Sequence, residues 1–158
     1  MKIDKTKYNL EVVMSQKGKV LVIEDEQDWQ DLLTEYLEEA GFHVTLVSGL
    51  EAGYKRVKEE MFHFATIDLQ LDKNNQNPSE FEGWSILQKI VEYRADSYMP
   101  TMVITGFDSA YKEFSKIKHL EGTFFMAKKN FDKEKFLQTV QRAVETFGVR
   151  FRDDKKES

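Results

Sequence analysis

Ala65-Thr66-Ile67-Asp68-Leu69-Gln70-Leu71 is an apolar run with a single carboxylate near its end. A strand buried on both faces of a parallel sheet reads as a near-continuous hydrophobic run, not as an alternation. The stretch therefore predicts a central strand with Asp68 at its C-terminal tip. Open parallel sheets bind ligands at the tips of their strands, so the polar groups that other strands bring to that edge matter most. Lys19-Val20-Leu21-Val22-Ile23 predicts a first strand, ending in Glu24-Asp25-Glu26. Phe42 to Val47 predicts a second, Thr101 to Thr105 a fourth, and Thr123 to Ala127 a fifth that runs into Lys128-Lys129.

Helical patterns separate these runs. From Asp28 to Ala40, the residues Trp29, Leu32, Leu33, Tyr36 and Leu37 recur at three- and four-residue spacing, and Gly41 stops the helix. Ser48 suits the N-cap of a second helix carrying Ala52, Tyr54, Val57 and Met61. Gly83 opens a third through Trp84, Ile86, Leu87, Ile90, Val91 and Tyr93, and a more polar fourth spans about Ser109 to His119. A last helix carries Phe136, Leu137, Val140, Val144 and Phe147. Strand and helix alternate five times. The pattern predicts an α/β fold, a doubly wound five-stranded parallel sheet with helices on both faces. The expected organisation is an N-terminal extension over 1–18, one domain over 19–147 and a charged C-terminal tail over 148–158, frayed from Arg152 on. Between Asp72 and Glu82 lies a polar loop, long for such a connection.

Bulk properties narrow the function classes. With 41% hydrophobic and 32% charged residues, the 158-residue chain has the balance of a folded domain and not of a disordered one. A net charge of -5 argues against direct nucleic-acid binding. The absence of cysteine excludes a disulfide framework and a thiolate metal site. No apolar stretch has the length of a membrane span, and Met1-Lys2-Ile3-Asp4-Lys5 lacks the apolar core of a signal peptide. A cytoplasmic protein without membrane contact is expected.

If the strands align, Glu24 and Asp25, Asp68, Thr105 and Lys128 converge in one crevice. Clustered carboxylates repel unless a cation sits among them, and oxygen ligands suit a hard ion such as Mg²⁺. A lysine ammonium can pair with a carboxylate or a phosphoryl oxygen, and a threonine hydroxyl can donate to one. These parts suit phosphoryl transfer onto a carboxylate nucleophile. Taken singly, each residue has a plainer reading. Asp68 could cap a turn, Thr105 could simply end a strand, and Glu26 suits a helix N-terminus. Lys129 reads as solvated, Trp29 and Trp84 as members of helical stripes, and the three histidines as scattered. The combination in register is what favours a site.

Over about residues 19 to 147 the chain resembles a response-regulator receiver domain of two-component signal transduction. The matching stretches are Val20-Leu21-Val22-Ile23-Glu24-Asp25-Glu26, Ile67-Asp68-Leu69, Gly83, Ile104-Thr105-Gly106 and Phe125-Met126-Ala127-Lys128. Their spacing agrees too: Asp25 and Asp68 are 43 positions apart (68 − 25), and Thr105 and Lys128 are 23 apart (128 − 105). The resemblance implies a flavodoxin-like strand order, 2-1-3-4-5. It implies Asp68 as phosphoacceptor and Mg²⁺ held by Asp25, Glu24, Asp68 and the backbone carbonyl of Gln70. It also implies Thr105 and Lys128 at the phosphoryl group and Phe125 as the switching aromatic. The implied partners are a histidine kinase or phosphotransfer protein, and a downstream effector protein or an effector domain beyond this sequence. The output surface would comprise the fourth helix, fifth strand and fifth helix. Such a module is a phosphorelay component, not an enzyme with an external substrate; it catalyses only its own aspartyl phosphorylation and dephosphorylation.

Two departures stand out. Lys129 occupies the place of the family's proline, often cis, so a trans peptide is expected there. Asp68 and Thr105 are 37 positions apart (105 − 68), longer than usual, and the excess falls in the loop 72–82. Gln70 and Phe107 flank positions where the family tunes phosphate lifetime. The alternative reading is a pseudo-receiver, a phosphorylation-independent protein-interaction module. A small hydrolase with an aspartyl nucleophile is a third, and Asp72 is a weak candidate for its acid/base.

Overall fold

A computed structural model describes residues 17–68, 88–89, 99–106 and 123–157. The N-terminal segment through residue 16, Gln70, the loop 72–82, Gly83, Trp84, Phe107 and the expected fourth helix lie outside the described residues. So does the expected third helix, except residues 88–89, which are helical.

The described elements are β1 (Gly18–Ile23), α1 (Gln27–Glu39), β2 (Phe42–Val47), α2 (Leu50–Glu59), β3 (Phe64–Ile67), β4 (Thr101–Thr105), β5 (Thr123–Ala127) and α3 (Lys133–Glu157). All five strands pair in parallel, in the order β2-β1-β3-β4-β5. Each apolar run picked out above is one of these strands. Gly41, with φ 98°, ends α1 as expected. β1 begins one residue early, at Gly18, and α1 runs Gln27–Glu39, one residue earlier than expected at each end. Two further boundaries differ. The residue before α2 is Gly49, in extended conformation, and Ser48 lies one position outside. The last helix, expected as the fifth, continues to Glu157 through the segment expected to fray. Its Lys, Arg and Glu residues are good helix formers.

Register decides which side chains share a face. Val20 pairs with Phe64 and Val22 with Thr66, while Thr66 pairs with Met102 and Met102 with Phe124. This face packs against Leu33 and Leu37 of α1 and Phe136, Val140, Ala143 and Val144 of α3 in one core. Leu21, Ile23, Ala65, Ile67, Val103 and Phe125 lie at the alternate positions, on the other face. There α2 approaches so closely that a Cβ at Gly53 would meet Ile23 Cδ1.

At the edge away from Asp68, His63 closes β1 onto β3. Its N–H donates to Lys19 O at 2.8 Å, and its Nδ1 accepts the Lys19 N–H at 2.9 Å. Gly18 sits beside it with φ 152°, and a Cβ there would stand 3.0 Å from the His63 ring. Both the conformation and the space disfavour a side chain. Gly18→Ala is expected to cost about 2 kcal/mol. Chemical denaturation of the two proteins checks this, and an unchanged midpoint would contradict it.

Candidate functional site

The last β1–β3 pair is Ile23 with Ile67, so the next residues on the two strands, Glu24 and Asp68, emerge abreast. Backbone bonds carry the ladder that far: Asp68 N–H donates to Ile23 O and Glu24 N–H to Val47 O, both at 3.0 Å. Each carboxylate is nearly inaccessible, Glu24 at 1% and Asp68 at 2% exposure. Their cation is Lys128, which follows β5 directly and opens a short 3-10 turn over Lys128–Asn130. Its Nζ stands 2.9 Å from Asp68 Oδ2, 3.0 Å from Glu24 Oε2 and 3.5 Å from Glu26 Oε1. The Lys128–Lys129 peptide is trans, and the lysine reaches the carboxylates without a proline behind it.

Electrostatics follow from this crowding. Burial, and then the Asp68 charge, push the Glu24 carboxyl up to about 7; the Glu26 N–H, which donates to Glu24 Oε1 at 3.1 Å, and Lys128 pull the other way. Burial alone would lower the Lys128 pKa, but Asp68 and Glu24 outweigh it and hold the ammonium above its ordinary value. Lys128 is therefore charged at neutral pH. A buried ion pair of this kind gains from Coulomb attraction only what remains after desolvation, so it is poor evidence of stabilisation. It does place one ammonium against one candidate nucleophile.

Among the described residues, four acids gather here. One carboxylate oxygen from each of Glu24, Asp25, Glu26 and Asp68 lies within 4.8 Å of the others, with Asp25 exposed and Glu26 partly so. Among the described residues a single lysine, Lys128, pairs with this set, which leaves it net negative. All the donors are oxygens, and their spacing suits a hard divalent ion with ligands at about 2.0–2.6 Å. The residues present thus fit Mg²⁺.

Thr105 ends β4 and is fully buried, one strand beyond Asp68. It lies on the face opposite α1 and α3, as does the half-buried Phe125, whose partner Val103 is two residues from Thr105. The Gln70 carbonyl lies outside the described residues. Of the expected residues that are described, Glu24, Asp25, Asp68, Thr105 and Lys128 reach one sheet edge, and Phe125 lies within β5, two residues before its end.

Three neighbours of the site escaped the sequence reading. Glu26 occupies the N-cap of α1, yet its side chain makes no capping bond and turns instead toward Lys128. Gln30 is buried, and its Nε2 donates to Glu24 O at 2.7 Å. Trp29, read as stripe alone, has the Lys128 ammonium 5.0 Å from its ring centroid. For Glu26 the signal was present, a third acid beside two others. For Gln30 and Trp29 there was none, since both suit the first turn of any amphipathic helix.

Comparison with known proteins agrees with the architecture. Residues 20–141 match the family model described as the response regulator receiver domain. The response regulator receiver protein CpdR of Brucella abortus is 30% identical over 89 residues, which are 56% of this chain and 67% of CpdR. A CheY-like receiver domain structure from Methanospirillum hungatei superposes with TM-score 0.68 at 19% identity, covering 84% of this chain and 97% of that one. NtrX from Brucella abortus gives TM-score 0.69 at 20% identity over 88% of this chain, but only 29% of NtrX. Among the described residues no helix is long and apolar enough to cross a membrane.

Proposed function

The chain belongs to the response regulator receiver domain family, and on that premise we propose that it is a phosphoacceptor module phosphorylated on Asp68. The observation that carries this reading is the Lys128 ammonium, 2.9 Å from Asp68 Oδ2 at a buried strand tip beside an acidic cluster. In the proposed reaction an Asp68 carboxylate oxygen attacks the phosphorus of a phosphohistidine. The P–N bond breaks, its electron pair stays on the imidazole, and an acyl phosphate forms. Lys128 faces the incoming phosphoryl oxygens, Thr105 donates its hydroxyl to one of them, and Phe125 responds from the same face of the sheet. Asp25, Glu24 and Asp68, with the Gln70 carbonyl, would hold Mg²⁺, and Glu26 lies close enough to assist. Bound there, Mg²⁺ would neutralise charge that accumulates on the transferring group.

The donor would be a histidine kinase or phosphotransfer protein in the cytoplasm. The phosphorylated population would act on an effector, whether a separate protein or a domain beyond this sequence. On this reading the chain catalyses its own phosphorylation and dephosphorylation and turns over nothing else.

Intact mass after incubation with acetyl phosphate tests the proposal. A single phosphoryl adduct is expected with Mg²⁺ and none with EDTA. If neither an adduct nor a beryllium fluoride complex forms, the chain is instead a phosphorylation-independent interaction module.

A further inference from the structure

A lysine stem has several rotatable bonds and a strongly hydrated head, so something must hold the ammonium in place. Here the following residue is Lys129, which imposes no ring constraint on the turn. Ion pairs with Asp68, Glu24 and Glu26 engage the ammonium itself; the turn that carries it is restrained by aromatic rings. Phe131 closes the turn, its N–H donating to Lys128 O at 3.3 Å. The Phe131 ring is packed from three sides: edge-on by Trp29 at 5.2 Å and 82°, stacked by Tyr36 at 6.3 Å and 15°, and tilted against Phe136 at 5.2 Å. Trp29 also takes the Lys128 ammonium over its ring, 5.0 Å from the centroid. One indole therefore touches both ends of the turn, the lysine that opens it and the phenylalanine that closes it. Trp29 lies in the first turn of α1, just after the acidic segment, so the element that supplies Glu26 also grips the cation.

We propose that Trp29 is a positioning residue for phosphoryl transfer, clamping the Lys128 turn so that the ammonium stays at Asp68. The role rests on the phosphoacceptor reading above. It predicts that the π face matters and not merely apolar bulk. Trp29→Leu keeps an apolar side chain but removes the face, whereas Trp29→Tyr keeps a face.

The test measures the rate of adduct formation with acetyl phosphate at saturating Mg²⁺. Trp29→Leu is expected to be about tenfold slower than the parent, and Trp29→Tyr within about threefold of it. In a Lys128→Met background the further change Trp29→Leu should leave the rate unaltered, because the indole acts through the lysine. A merely structural tryptophan would slow both backgrounds alike, and that result would overturn the proposal. So would a Trp29→Leu rate equal to the parent's. Independently of phosphate, indole emission in a Trp84→Phe background should change on Lys128→Met; an unchanged spectrum would also overturn the clamp. If the parent forms no adduct while that emission change is present, the phosphoacceptor reading has failed and the positioning role falls with it, but the contact stands.

Discussion

Asp68→Asn is expected to reduce adduct formation on the order of a thousandfold or more, to background, while leaving the chain folded. An amide oxygen is too weak a nucleophile to replace the carboxylate, and the other acids are differently placed. Asp25 is exposed, and Glu24 already shares Lys128. The substitution is nearly isosteric at a site with 2% exposure, so packing survives. It also removes the charge that, after burial, does most to raise the Glu24 pKa. The metal-free variant should therefore melt no lower than the parent at pH 8. Intact mass and a thermal melt check the two halves together. An adduct of undiminished yield would move the phosphoacceptor elsewhere, and peptide mapping would locate it.

The second expectation concerns pH. In the folded chain the Glu24 carboxyl lies at about 7, against an ordinary 4.5, chiefly through burial and then through Asp68. Between those values the folded state binds more protons than the unfolded one, so stability falls as pH rises. The stabilisation is fully present below about 4.5 and lost once pH has risen through about 7. Its size is about 3 kcal/mol at 1.36 kcal/mol per unit. Lys128 adds no slope in this window, because its pKa is raised from 10.5 and it stays charged throughout. Glu24→Gln imitates the protonated form. With EDTA present, the variant should match the parent near pH 5 and exceed it at pH 8. Urea midpoints at the two pH values decide this; equal differences at both would refute the linkage.

The central strands β1, β3 and β4 were legible because they are buried on both faces and so read as apolar runs. The edge strands β2 and β5, only partly buried, were legible from their β-branched and aromatic residues. Their tips were legible for the same reason: Glu24, Asp68 and Lys128 are the first charges after each run. Strand order needed the family resemblance, since apolar runs do not encode their neighbours. Trp29 was not legible, because its spacing with Leu33 and Tyr36 is that of an ordinary helical stripe. Whether such a ring meets the core or the sheet edge depends on where the first turn of α1 sits relative to the strand tips, a tertiary fact. Glu26 was read through the helix dipole, which favours acids at that position in any protein, and this general preference masked a specific contact.

The Lys128–Glu24 contact spans 104 residues of sequence, which bears on how the chain acquires its structure. During synthesis β1, β2 and β3 emerge first and can pair with one another, bringing Glu24 and Asp68 abreast with no counter-charge between them. The ammonium arrives only after β4 and β5 have been made, so the entropic cost of its contact with Glu24 is met late. The nascent half-sheet thus carries two adjacent acids at the edge of its strand tips before their shared cation is made. Its acids hold that edge open to water until the C-terminal strands dock.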